Sequence, residues 1–276
     1  MSCGLTNLSS CLPEAFFDFI TAILNSTLEP LMYIVKTFLI EPVNVNIFQS
    51  FWIIIIYIIS LFYGLFLLFA GFNFLISGYD SAKRENAKQW LSNIILMIIF
   101  IQSSFFVYNL VIELGSLMTV GVLELIPNNF FYVTGNSFSS IGLQLSLLLP
   151  YISALIVTIF LLALRYLFVS VGVVFFPFAI FFYFIPPLQA YGKMILNVLA
   201  VIIFVTFFDA VILFGASALM QISIFQQYNL IIATTAFLAI DLLMLCLIIF
   251  AIIKAAFSVI NSDVGRNIVK AGKYLV

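Results

Sequence analysis

The chain has 276 residues, of which 65% are hydrophobic and only 8% charged, with a formal net charge of −1 and no histidine. Soluble domains hold about 45–50% apolar residues, so this composition excludes a water-soluble globule and leaves no room for a soluble catalytic lobe. The missing histidines remove the commonest general base, transition-metal ligand and near-neutral proton switch, and an overall charge this small speaks for no anionic partner beyond local patches.

Residues 1–13 read as a polar, loosely ordered tail that lacks the cationic n-region of a cleavable signal peptide. Cys3 and Cys11 lie there, and the third cysteine, Cys246, sits in an apolar run. With no CxxC and no Cys/His cluster, neither a metal site nor a cofactor is expected. Residues 14–40 mix Glu14, Asp18, Asn25, Glu29 and Lys36 among apolar side chains, with Phe16, Ile20, Leu24 and Leu28 at helical spacing. Asn25-Ser26 and Pro30 interrupt the run, so neither piece reaches the roughly 20 clean residues of a span. Two short amphipathic helices at the membrane surface are predicted; a poor first span is the alternative.

The first span covers 47–77 and breaks at Gly78. Asp80 or Ser81 can cap the next helix, whose first turns carry Lys83, Arg84, Glu85 and Lys88, with Trp90 at an interfacial position. The second span runs over about 91–111, with the helix free to continue to Leu123. Residues 124–145 form a long loop rich in Asn, Ser, Gly and aromatics and devoid of Lys and Arg.

The apolar block 146–188 would extend roughly 60 Å as a straight helix, against a hydrocarbon core of about 30 Å. One tilted span over 148–185 is predicted, kinked at Pro177 and closed by Pro186-Pro187. A helix pair split near Gly172 is the alternative. The fourth and fifth spans cover about 190–222 and 230–257, separated by Gln226-Gln227-Tyr228-Asn229, and a basic tail fills 258–276. The fold class is therefore all-α integral membrane, with about five transmembrane helices over 47–257. Neither an internal repeat nor an inverted pair of broken helices is visible, which argues against a secondary transporter.

The cations set an orientation. Eight of the ten Lys and Arg fall at 83, 84 and 88, at 193, and at 254, 266, 270 and 273. Five spans bring all of these to one face, and the positive-inside rule makes that face cytoplasmic, with the N-terminus and 1–46 outside. Six spans would place Glu14 and Asp18 inside without a basic residue. An outside N-terminus puts Cys3 and Cys11 in oxidising surroundings, where a disulfide and two separate thiols are both open readings. It also exposes Asn7-Leu8-Ser9 and Asn25-Ser26-Thr27, acceptor patterns for glycosylation.

Arg165, Asp209 and Asp241 lie at depth in the third, fourth and fifth spans. Each would cost about 2.5–3.5 kcal/mol facing lipid, so each should turn inward. One reading is a latch, Arg165 with one Asp and the other held neutral or bonded to hydroxyls such as Thr206 and Thr234. The other reading is a polar path lined by these groups. An intramembrane aspartyl protease needs a Gly-x-Gly-Asp turn, whereas the surroundings here are Phe207-Phe208-Asp209 and Ala239-Ile240-Asp241. No enzyme is expected. The cluster 81–88 reads as topogenic charge among phospholipid headgroups, or as a dock for a cytoplasmic partner or phosphate backbone. The aromatic runs at 175–178 and 181–184 read as lipid-facing, since nothing basic interleaves them.

Residues 160–213 (FLLALRYLFVSVGVVFFPFAIFFYFIPPLQAYGKMILNVLAVIIFVTFFDAVIL) set Arg165 twelve residues before Pro177, close on Pro186-Pro187, and pass Lys193 into an apolar helix. This pattern resembles the TrbL-like polytopic membrane subunits of type IV secretion and conjugation machines. It departs from them in Phe176 where they carry Ser before the proline, and in a Pro-Pro-Leu rather than Pro-Gly turn. Segment 78–101 (GYDSAKRENAKQWLSNIILMIIFI) is similar to a hinge shared by small secretion-system membrane proteins, and the scarcity of charge and Ile/Phe bias look most like the crenarchaeal DNA-import (CedA-type) branch. The resemblance implies a pore-forming or pore-base subunit of the cell membrane that passes DNA as a homo-oligomeric ring alongside small membrane subunits or pilins. With no Walker-type loop in the chain, energy would come from a cytoplasmic VirB-type ATPase. Lys83, Arg84, Lys88, Lys193, Arg266, Lys270 and Lys273 would meet that ATPase or DNA, and Arg165, Asp209 and Asp241 would hold the kinked span. A non-transporting assembly scaffold and a proton-linked small-solute permease working through Asp209 or Asp241 are the alternatives.

Overall fold

Lipid offers backbone N–H and C=O groups no partner, so a chain this apolar satisfies them inside helices. The computed structural model describes residues 28–77, 81–127, 141–225 and 228–260, with the single positions 19, 26 and 130. All regular elements among the described residues are helical. Residues 28–40 form α1, followed by a 3-10 turn at Asn46–Phe48 and α2 at Gln49–Ile76. Then come α3 (Ser81–Gln102), α4 (Ser104–Leu123), α5 (Ile141–Phe184), a 3-10 turn at Pro186–Leu188, α6 (Gln189–Met220) and α7 (Asn229–Ile260). Five stretches are long and apolar enough to cross a membrane: Asn46–Ile76, Ser104–Leu123, Leu149–Phe184, Pro186–Met220 and Asn229–Lys254. The chain is a multi-pass membrane protein.

Three local outcomes differ from the sequence reading. The second crossing stretch is α4 rather than 91–111, because Lys83, Arg84, Glu85 and Lys88 use up the first turns of α3. The two helices meet at Ser103, whose hydroxyl sits 2.9 Å from Ile99 O and 3.4 Å from Phe100 O. The backbone bonds from Ser103 N–H to Ile99 O and from Val107 N–H to Ser103 O, both 3.0 Å, carry the ladder across the junction. Second, α5 begins at Ile141, so the end of the expected 124–145 loop is already helical. Third, Pro30 lies within α1 instead of interrupting it. One face of α1 is buried through Leu28, Met32, Val35 and Leu39, a spacing that stacks side chains along a helix.

At 44 residues α5 is about 66 Å long. It continues through Gly172 and Pro177, so the helix pair split near Gly172 does not form. Its end is dictated by proline: Ile185 precedes Pro186 and adopts φ −94°, ψ 112°, the extended backbone that a following proline imposes. The chain turns through Pro186–Leu188 and starts α6 at once. Gly192 then lies so close to the end of α5 that an added Cβ would sit 2.7 Å from Ala179 O and against the Tyr183 backbone.

The described residues fall into two compact units, and α4, α5, α6 and α7 each contribute to both. The first takes α1 and the stretches Gly115–Arg165 and Val205–Leu245; the second takes Pro42–Leu114, Tyr166–Phe204 and the chain from Cys246. Within the first, the Tyr151 hydroxyl meets the sulfur of Met32 at 3.7 Å, its ring packs on Phe237, and Ser116 donates to Ile40 O. The second has two apolar clusters. One joins Val43, Tyr108, Ile112, Val173 and Ile203; the other joins Ile59, Ala70, Met97, Ile101 and Phe181. Phe176, Phe178, Phe182 and Phe184 pack against these clusters, so most of the aromatic runs of α5 are inward and not lipid-facing; Phe175 and Tyr183 are the exposed exceptions.

Candidate functional site

The three intramembrane charges come together within the first unit. Helix α5 supplies Thr158 and Arg165, α6 supplies Thr206 and Asp209, and α7 supplies Thr234 and Asp241. Residues seven apart lie about two turns along one helix face, so Thr158 and Arg165 point the same way, as do Thr234 and Asp241. Thr119 of α4 completes the set. Side-chain exposure is 7% for Arg165, 0% for Asp209 and 6% for Asp241, which places all three away from lipid.

Asp241 accepts a hydrogen bond from the Thr158 hydroxyl at 2.8 Å. That hydroxyl also lies 3.0 Å from Ala154 O, but it has one proton to give, and a carboxylate oxygen is the stronger acceptor. Neither hydroxyl expected to serve the aspartates bonds to Asp209, whose oxygens have no partner among the described residues. Thr234 donates to Leu230 O at 2.7 Å in its own helix, and Thr206 lies 3.4 Å from the hydroxyl of Thr119. Thr158 was the functional neighbour that sequence reasoning missed. Its signal was available as a threonine two turns before Arg165.

Asp209 is different. Both its carboxylate oxygens are buried, and neither has a hydrogen-bond partner among the described residues. Its compensation is electrostatic and comes from Arg165; Asp241, also within reach, adds a like charge. Fully ionised, the trio would carry one positive and two negative charges, and Arg165 is its single cation. Chemically the arrangement can tie α5, α6 and α7 together, or hold a polar group at membrane depth. Among the described residues no group of His, Cys, Asp and Glu could hold a metal ion.

The basic residues assigned to docking sit in the second unit. Lys83, Arg84 and Lys88 are exposed along the start of α3, and Lys193 is exposed at the start of α6. The Arg84 guanidinium lies 5.9 Å from the Phe74 ring centroid, and Lys193 Nζ lies 5.9 Å from that of Tyr183. Pro177 is inside α5, and Pro186 and Pro187 form the 3-10 turn. Cys246 is a free, exposed thiol. Cys3, Cys11, Asn7, Asn25, Arg266, Lys270 and Lys273 lie outside the described residues. No protein-family model, curated protein or solved structure matches the chain.

Proposed function

We propose that this protein is a pore-forming or pore-base subunit of a DNA-transfer machine of the type IV secretion kind, embedded in the cell membrane with its N-terminus outside. The observation that carries the reading is α5. Within the stretch resembling the TrbL-like subunits (160–213), α5 carries a buried Arg165, runs through Pro177 and closes on a proline turn that leads into α6. A helix about twice the bilayer core in length can both cross the membrane and project from it. Copies of the chain form a ring with small membrane subunits or pilins, DNA is the cargo, and a separate VirB-type ATPase drives it. The exposed Lys83, Arg84, Lys88 and Lys193 meet that ATPase or the DNA backbone on the cytoplasmic side, and α1 with the preceding residues lies at the outer surface. Deleting the gene should abolish DNA transfer between cells, and the intact gene supplied in trans should restore it. Transfer at the normal frequency in the deletion strain would overturn the proposal.

One observation favours a second reading, a proton-linked solute permease. The Asp209 carboxylate, buried and without a hydrogen-bond partner among the described residues, is the kind of intramembrane group that such carriers use. Under that reading proteoliposomes would take up a small solute in a pH-dependent way, and Asp209→Asn or Asp241→Asn would stop it. Under the DNA-transfer reading both variants leave ion and solute flux at background.

A further inference from the structure

Where α2 leaves its apolar span and α3 begins, the second unit carries a groove of about 370 Å³. Its walls have two characters. Asn73, Lys83 and Asn86 present amide and ammonium groups, while Phe69, Ile76 and Trp90 present apolar surface. Phe69 and Ile76 are exposed, and Trp90 is half-buried against Phe69 with ring centroids 5.8 Å apart. Ser77 also borders the groove, but its hydroxyl is committed to Phe74 O at 2.9 Å.

We propose that this groove binds an anionic phospholipid, the phosphate against Lys83, Asn73 and Asn86 and the upper acyl chain against Phe69, Ile76 and Trp90. The placement argues for it: the crossing stretch Asn46–Ile76 ends here, so the groove opens at the depth where a lipid changes from hydrocarbon to phosphate. The charge agrees, since Lys83, Arg84 and Lys88 outnumber Glu85 along the first turns of α3, and basic residues beside a span draw anionic headgroups. A nucleic-acid strand would ask for something else, a basic track several nucleotides long with faces for stacking. The groove offers one lysine and an oily wall. The proposal rests on membrane embedding alone and stands or falls independently of DNA transfer.

Trp90 is the built-in probe, because the chain has only two tryptophans. In Trp52→Phe protein reconstituted into phosphatidylcholine vesicles, brominated phosphatidylglycerol should quench Trp90 more strongly than the same mole fraction of brominated phosphatidylcholine. Lys83→Gln in that background should lower the preference about fivefold, the share of one basic residue at a membrane surface. Equal quenching by the two lipids would overturn the proposal, as would quenching relieved by a single-stranded oligonucleotide but not by unbrominated phosphatidylglycerol. Should the Trp52→Phe chain fail to fold, native mass spectrometry of the wild-type chain keeps the question open to measurement. A retained phosphatidylglycerol adduct that Lys83→Gln loses supports the site, and spectra with no preference for that lipid refute it.

Discussion

The two units solve the problem of living in lipid by different means. The first buries an arginine, two aspartates and several threonines. The second buries no Asp, Glu, Lys or Arg among its described residues; its buried hydroxyls are those of Ser77, Ser104, Ser170 and Tyr108, and each of these has a bonded partner. Its cohesion comes from apolar clusters and from helix approaches such as Gly192 on Ala179 and Tyr183. The contrast teaches where fragility resides. In the first unit a single deletion exposes an uncompensated charge, whereas in the second the sensitive change is an added atom.

Arg165→Ala is the sharpest way to break that comparison. Removing one partner of a buried ionic group costs about 3–5 kcal/mol, and the loss should appear as a lowered midpoint of unfolding from mild detergent into dodecyl sulfate. Next is Thr158→Val, which removes a hydrogen bond to a carboxylate and should cost about 1.5–3 kcal/mol by the same assay. Thr234→Val should cost far less, because its hydroxyl serves only its own helix.

The second unit should respond to volume. Gly192→Ala forces a methyl group onto backbone atoms and should destabilise by about 1–3 kcal/mol. Gly172→Ala should be milder, since its obstructing atoms are the side-chain ends of Tyr108 and Leu199, and Gly64→Ala should be silent with nothing within 4 Å. The smallest effects belong to Lys88→Gln and Lys193→Gln, exposed positions whose loss should leave the unfolding midpoint in place. A Lys88 variant as damaging as Arg165→Ala would erase the distinction between the units.

Helices were legible in the sequence wherever apolar runs end in prolines, glycines or polar turns. The run 47–77 holds α2 at Gln49–Ile76, and 190–222 matches α6 at Gln189–Met220 to within about two residues at either end. The junction of α3 and α4 at Ser103 was not legible, since no proline or glycine marks it in the run 94–106. Nor was the start of α5, because Ile141–Ser146 follows an Asn-, Ser- and Gly-rich stretch whose composition reads as loop. The charge trio was legible residue by residue, because an ionisable group at membrane depth has few places to go. Which hydroxyl meets Asp241 was not. That depends on how α5 and α7 are rotated about their axes, and hydroxyls at several positions fit the sequence equally well. Gly192 likewise gave no warning, since a close helix approach is a property of the partner backbone.

The claim beneath all of this is that Arg165 and Asp209 compensate each other inside the bilayer. A double-mutant cycle of Arg165→Met and Asp209→Asn, read from unfolding midpoints in one detergent system, measures that directly. The account predicts that the double variant regains more than about 1 kcal/mol over the Arg165→Met single variant, as coupled neighbours do. Losses that simply add would contradict it.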